Sequence, residues 1–280
     1  MISIKAYAKV NLSLEVCGKR EDGYHILDTV MQTISLFDTV TLTLADKGII
    51  DVYCDNENLS GESNLCHQAA RLFFEESGID GGCRINIEKN IPVSAGLGGG
   101  SADAAAVLNG LNALYGNPFD INKLKELALP LGADVPFLIE GGTARAKGIG
   151  EELEPINNNI KRYFLLIKEG EKQSTAYMYK KIDELNAPQP YRSVSENMAK
   201  SLNDGDFSLF TKSFENDFSK VWDYEKIKCD LIKNGAMAVS ISGSGPTVMG
   251  VFNTQEKAIK ALETMKGSYS NIYLAESINE

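Results

Sequence analysis

Pro92-Val93-Ser94-Ala95-Gly96-Leu97-Gly98-Gly99-Gly100-Ser101-Ala102-Asp103-Ala104-Ala105 sets a glycine-rich loop directly before an alanine-rich segment. Glycines at 96, 98, 99 and 100 remove the Cβ atoms that would keep a polyphosphate away from backbone N–H groups, and they open positive φ to the chain. Ser101 is predicted as the N-cap of a helix, because apolar residues follow at helical spacing from Ala102 to Leu114. The free N–H groups and partial positive charge of such a helix start favour an anion. Read alone, a four-glycine loop is also compatible with a flexible turn. The loop is not a Walker A, since no Gly-Lys-Ser/Thr closes it, and Ser101 at the sixth position breaks the dinucleotide pattern that Gly96-Leu97-Gly98 begins.

The whole chain supports a soluble globular reading. With 280 residues, 43% hydrophobic and 24% charged, it can bury the core of one large or two modest domains. Its formal charge of −10 includes no block of five or six like charges, which argues against nucleic acid as a partner; an anionic ligand then needs a local positive pocket. The five cysteines are scattered, form no Cys-x-x-Cys pair, and read as reduced, mostly buried thiols. Met1-Ile2-Ser3-Ile4-Lys5 lacks the pattern of a secretion signal and no apolar run is long enough to span a bilayer, so no membrane attachment and a cytoplasmic location are expected.

Alternation of apolar and polar residues at Val10, Leu12, Leu14 and Val16, and again at Val40, Leu42 and Leu44, predicts strands over the first fifty residues. A helix opened by Ser63 and closed at Gly78, a strand Arg84–Glu88, the loop helix, and a helix Ile121–Leu129 capped by Asp120 follow. Short strands are expected at Phe137–Ile139, Thr143–Ala146 and Glu151–Leu153. The polar stretch Pro155-Ile156-Asn157-Asn158-Asn159 is the candidate boundary. Beyond it come strand Tyr163–Ile167, helices between about Thr175 and Lys233, strands Ala238–Ile241 and Val248–Phe252, a helix Gln255–Met265 and a last strand Ile272–Ala275. The class is α+β with antiparallel sheets.

Three further stretches carry chemistry. Ala8-Lys9-Val10-Asn11-Leu12 puts a cation and an amide on one face of an apolar strand, and the spacing alone reads Lys9 as a surface residue. Gly132-Ala133-Asp134-Val135-Pro136 puts a carboxylate before an apolar run, as the cap of a turn or as a partly desolvated base. Ser242-Gly243-Ser244-Gly245-Pro246-Thr247 is a small-residue loop between two strands.

In this order, Ala-Lys-x-Asn, Pro-x-x-x-Gly-Leu-Gly-Gly-Gly-Ser and Ser-Gly-Ser-Gly-Pro-Thr resemble the three motifs of the GHMP kinases, which phosphorylate hydroxyls of small molecules with ATP and Mg2+. Asp22-Gly23-Tyr24-His25, followed by Leu27, Thr29 and Gln32 and later by Gly132-Ala133-Asp134-Val135-Pro136, narrows the resemblance to members that act on a cytidine-diphosphate sugar alcohol. A kinase of the same family for homoserine or mevalonate has no need of Asp-Gly-Tyr-His, and a non-catalytic descendant would be free to lose Lys9 or Asp134.

The resemblance implies a two-domain GHMP fold. Its parts are a β-rich N-terminal nucleotide-binding domain over 1–156 and an antiparallel, ferredoxin-like α+β domain over 157–280, with the active site in the cleft between them. It implies Asp134 as the base and Lys9 as the orienting cation. ATP contacts fall on Pro92, Ser94, Ala95, Gly96, Leu97, Gly98, Gly99, Gly100 and Ser101 in the loop, and on Asn64 and Lys89 near the adenine. Substrate contacts fall on Asn11, Tyr24, His25, Thr175 and Tyr179: His25 on the cytosine edge, and Tyr24 stacked on its face with Tyr179 as the opposing slab. For Tyr179, core packing on a helix face is an equal alternative, and for His25 a surface loop position. Asp103 adds a negative charge beside the expected phosphates, either turned away or facing a metal; the matched segments supply no protein ligand for the magnesium ion.

Overall fold

The computed structural model describes residues 1–158, 160–171, 173–185 and 191–279; of the candidate boundary, Asn159 lies outside the described residues. In chain order the elements are β1 (Ile2–Lys19), β2 (His25–Ala45), β3 (Ile50–Cys54), α1 (Leu65–Ser77), β4 (Gly82–Glu88), α2 (Gly99–Leu114), α3 (Ile121–Ala128), α4 (Val135–Glu140), β5 (Thr143–Lys147) and β6 (Glu152–Pro155). They continue with β7 (Tyr163–Lys168), α5 (Thr175–Glu184), α6 (Val194–Asp204), α7 (Phe207–Lys212), α8 (Glu225–Lys233), β8 (Ala238–Ile241), β9 (Thr247–Phe252), α9 (Gln255–Met265) and β10 (Ile272–Glu276). Two compact units result, one of Met1–Ala8, Leu36–Val93 and Gly98–Gly141, the other of Lys9–Ser35, Ser94–Leu97 and Gly142–Glu280.

In the first unit the end of β2 pairs antiparallel with β4, from Thr39 opposite Glu88 to Ala45 opposite Gly82, and β4 pairs parallel with β3. Helix α2 packs against α1 and α4. Its run of alanines, the best helix formers, is buried on every side from Ala102 to Leu108, as expected of a helix enclosed by its neighbours. At Gly110 a Cβ would fall 2.3 Å from Leu42 Cδ1 and 2.6 Å from Ile4 Cδ1, so glycine is what lets α2 lie this close to the strands.

In the second unit four strands form an antiparallel sheet in the order β10-β7-β9-β8. Phe164, Leu165, Leu166 and Ile167 of β7 are all fully buried. Leu165 and Ile167 join a core with Met178 and Ile182 of α5, Leu231 of α8 and Met265 of α9. The start of β2 pairs with β5, Thr29 opposite Ala146, and β5 pairs with β6.

Three local expectations are corrected. Helix α2 begins at Gly99, with Gly98 rather than Ser101 at the cap position, because Gly98 takes up the left-handed conformation (φ 71°) and lets the helix start three residues earlier. The apolar run at Phe137–Ile139 is the helix α4: Pro136 sits in its first turn and Gly141 (φ 76°) ends it, while a short apolar run alone cannot separate strand from helix. Lys9 is only 4% exposed, because β1 is buried on both faces from Ala8 to Val16; alternation assigns faces but does not say that one of them meets water. Asp120 caps α3 as expected, accepting from Lys123 N at 2.9 Å, while the cap of α1 is Asn64, one residue after the expected Ser63, with the helix starting at Leu65.

All five cysteines are free, four of them wholly or partly buried. Burial pushes the Cys17 thiol up to about 11 and that of Cys83 to about 12, so neither carries thiolate at neutral pH. Among the described residues no helix is long and apolar enough to cross a membrane.

Candidate active site

In the second unit, the Ala-Lys-x-Asn strand, the first half of the glycine loop and the C-terminal small-residue loop meet in one hydrogen-bonded cluster. Lys9 and Asn11 stand two apart on β1, so their side chains share a face. Asn11 Oδ1 accepts from Lys9 Nζ at 2.9 Å and from Gly243 N at 3.0 Å, and its amide nitrogen donates to Thr29 Oγ1 at 2.9 Å. Thr29 in turn donates to Ser13 O at 2.6 Å. Lys9 N donates to Leu97 O at 2.9 Å, Ser242 Oγ to Gly96 O at 2.9 Å and Thr247 N to Ala95 O at 3.3 Å. Ala95 and Leu97 are buried and anchor this half of the loop, while Ser94, with φ 55°, is exposed. At Gly96 (φ 79°) a Cβ would lie 2.4 Å from Ser242 O, so the two loops pass at a distance only glycine permits.

In the first unit the loop continues into α2. Ala102 N bonds to Gly98 O at 2.8 Å, which leaves the N–H groups of Gly99, Gly100 and Ser101 as the unfilled donors of the helix start. Nothing lies within 4 Å of a Cβ built on Gly100. Among the described residues, helix α2 therefore opens on backbone donors that its own turns leave unpaired, with open space at the Cβ position of Gly100.

Asn64 and Lys89 each have local partners. Asn64 caps α1, accepting from Cys66 N at 2.8 Å and donating to Leu59 O at 2.6 Å. Lys89 Nζ is shared between Asp38 Oδ2 at 2.5 Å and Asp103 Oδ2 at 2.6 Å. Asp103 thus faces a lysine. Burial, opposed by Lys89 and reinforced by Asp38, pushes the Asp103 carboxyl up to about 7. The same two carboxylates outweigh the effect of burial on Lys89 and hold its ammonium above the usual lysine range. Asp134 sits half-buried at the cap position of α4.

The Asp-Gly-Tyr-His turn joins β1 to β2 and leaves Tyr24 60% exposed. The His25 ring lies parallel to that of Tyr179, centroids 4.3 Å apart, and Tyr179 also meets Phe218 edge-on at 5.0 Å. His25 Nε2 is 2.8 Å from Asp183 Oδ1, and Lys19 Nζ donates to Asp183 Oδ2 at 2.9 Å; His25, then Lys19, hold the Asp183 carboxyl below the usual carboxylate range. Thr175 is exposed at the start of α5, following its cap Ser174.

Two acids of these clusters escape sequence reading. Asp183 is four residues after Tyr179 on α5, and that spacing places both on one face once Tyr179 is considered. Asp38 had one signal, a carboxylate between Phe37 and Thr39 in the mostly apolar strand β2, but its partners are 51 to 65 residues away.

Two family models match the chain: the GHMP kinases N terminal domain over residues 64–142 and the GHMP kinases C terminal over 195–271. Among curated relatives, 4-diphosphocytidyl-2-C-methyl-D-erythritol kinase of Clostridium botulinum (strain Loch Maree / Type A3) is 41% identical over 98% of this chain and 99% of its own, and that of Clostridium tetani is 39% identical over 99% and 100%. A crystal structure of 4-(cytidine 5'-diphospho)-2C-methyl-D-erythritol kinase superposes with a TM-score of 0.80 at 32% identity, covering 99% of each chain. A homoserine kinase from Cytophaga hutchinsonii, at 23% identity and a TM-score of 0.76, shares the fold. The chain has the two-domain fold of the GHMP kinases and belongs to that family, among its 4-diphosphocytidyl-2-C-methyl-D-erythritol kinases.

Proposed function

We propose that the chain transfers the γ-phosphoryl group of ATP to the C2 hydroxyl of 4-diphosphocytidyl-2-C-methyl-D-erythritol, giving the 2-phosphate and ADP, on the non-mevalonate route to isoprenoid precursors. The observation that carries this reading is the meeting of all three motifs through Asn11 Oδ1, Gly96 O and Leu97 O, in a chain alike over its full length to kinases of that name. Asp134 is the base that takes the proton from the hydroxyl as the new O–P bond forms and the bond to the ADP oxygen breaks. Lys9 orients that hydroxyl and offsets charge, and Asn11 holds both Lys9 and the substrate's polar groups. The loop Pro92–Ser101 binds the triphosphate through backbone N–H groups, and Asn64 and Lys89 border the adenine. Catalysis on these parts is positioning and electrostatics, since phosphoryl transfer asks little covalent chemistry of the protein.

Among the described residues no three His, Cys, Asp or Glu side chains are grouped as metal ligands, and one Asp103 oxygen is taken by Lys89. That donor set fits a Mg2+ arriving on ATP, which phosphates and water would hold with the Ser101 hydroxyl near by, and which would supply neutralisation of the phosphate charge. A division at 156/157 follows the two family matches, one in each part, whereas the compact units are interleaved along the chain, residues 9–35, 94–97 and 142–156 grouping with 157–280. A cytoplasmic enzyme with a small-molecule substrate and no nucleic-acid or membrane partner completes the reading.

At the cytidine end, Tyr24 stacks on the face of the base, Tyr179 backs the site from beneath the His25 ring, and His25, its Nε2 held by Asp183, reads the cytosine edge through Nδ1, with Thr175 as a further substrate contact. His25→Ala should raise KM for the cytidyl substrate about tenfold, the loss of an oriented hydrogen bond and a ring contact, while KM for ATP stays within about twofold. Equal rises for both substrates would refute the assignment. The test of the function itself is ADP release with ATP and magnesium, the cytidyl substrate, homoserine and mevalonate being offered in turn. Turnover of the cytidyl substrate alone is expected; turnover of another acceptor, or of none, would refute the assignment.

A further inference from the structure

Asp38 is fully buried on β2 and takes no part in the reaction described above. Its Oδ1 accepts from the backbone N–H of Asn90 at 2.5 Å and of Ile91 at 2.8 Å, and its Oδ2 accepts from Lys89 Nζ at 2.5 Å. Residues 89–91 are the segment that leads into the glycine loop. On the far side of the loop, in the first turns of α2, Asp103 Oδ2 accepts from the same ammonium at 2.6 Å. Gly99 lies between: a Cβ there would be 3.0 Å from Ile91 Cγ2 and 3.5 Å from Lys89 Nζ, so the helix start and the incoming segment are held close together. Asp103 Oδ1 is buried with no hydrogen-bond partner. An unfilled carboxylate oxygen and a second buried acid are expensive features of a core, and charge-assisted bonds of this kind give strict geometry in return.

We propose that Asp38, Lys89 and Asp103 form a clamp that sets the spacing of the glycine loop's two stems, with Asp38 and Asp103 as positioning residues for nucleotide. The N–H groups of Gly99, Gly100 and Ser101 reach the phosphates together only if the start of α2 keeps its place against the incoming segment. Asp38 fixes that segment through its backbone and, through Lys89, fixes the helix. Lys89 has its charge committed to this task, whatever its stem offers the adenine. The proposal rests on the reading of the loop as the nucleotide site and not on the identity of the acceptor.

Isothermal titration of the whole protein with ADP and magnesium tests it. Asp38→Asn and Asp103→Asn should each weaken ADP binding about tenfold or more, the scale of a lost charge-assisted hydrogen bond. The double variant should bind about as weakly as the worse single, since both acids act through one ammonium. KM for the cytidyl substrate should stay within about twofold of the parent value. A role confined to core stability would lower the melting temperature and leave ADP affinity alone. Unchanged ADP affinity in folded Asp103→Asn, or losses that multiply in the double variant, would overturn the clamp, and Asp103→Asn decides alone if Asp38→Asn does not fold. Should the parent protein bind ADP but phosphorylate a different acceptor, the acceptor assignment falls and the clamp stands.

Discussion

Asp134→Asn is expected to lower kcat by about a hundred- to ten-thousand-fold, the range that general acid–base catalysis contributes, with little change in the affinity for ADP. Asparagine has the same shape but cannot accept the hydroxyl proton at neutral pH. Asp134 stands at the N-terminal end of α4 without a side-chain capping hydrogen bond, so an asparagine of the same size leaves the helix start intact, and the melting curve should overlay that of the parent. Single-turnover quench with saturating ATP and cytidyl substrate separates chemistry from binding. Near-normal turnover in the variant would remove Asp134 from the role of base.

The second large effect contrasts two glycines of the loop. Gly96→Ala places a methyl group 2.4 Å from Ser242 O and 2.9 Å from Gly245 O, on a residue with φ 79°, so backbone on both sides must shift. Strain plus overpacking should cost about 2–5 kcal/mol, read as a lowered urea midpoint. Gly100→Ala adds its methyl to open space inside a helix and should leave stability level or raise it by about 0.5–1 kcal/mol. Yet that open space is where the phosphates are proposed to lie, so Gly100→Ala should raise KM for ATP while the folded protein is as stable as before. If Gly100→Ala left KM for ATP unchanged, the backbone of the α2 start would not be the phosphate cradle. A Gly96→Ala protein as stable as the parent would show that the two loops do not pass as closely as described.

Much of this was legible because it depends on short stretches of chain. Asp120 before an apolar periodic run is a cap in any context, and the glycines of the loop announce backbone conformations that other residues resist. The face shared by Lys9 and Asn11 follows from the period of a strand. Their burial does not, because it is decided by Gly243 and Thr29, which arrive from distant parts of the chain. Asp38 is hidden for the same reason: a buried acid between Phe37 and Thr39 of a mostly apolar strand reads as a defect until Lys89 and Asp103 are brought to it. The α4 segment failed on length, five apolar residues being too few to show a period.

The division of the chain into units bears on how the protein is made. Residues 9–35 belong to the same unit as 142–280, yet the ribosome synthesises about a hundred residues of other sequence between them. At typical synthesis rates of about 5–20 residues per second, that stretch of β1 and β2 waits roughly 5–20 s for its partners. During that interval Val10, Leu12, Leu14 and Val30, all buried in the finished unit, have no core to enter. Until residues 142–280 have been made and have left the ribosome, the apolar surface of that stretch stays uncovered by its own unit, and holdase chaperones should be found on ribosomes stalled before the end of that segment.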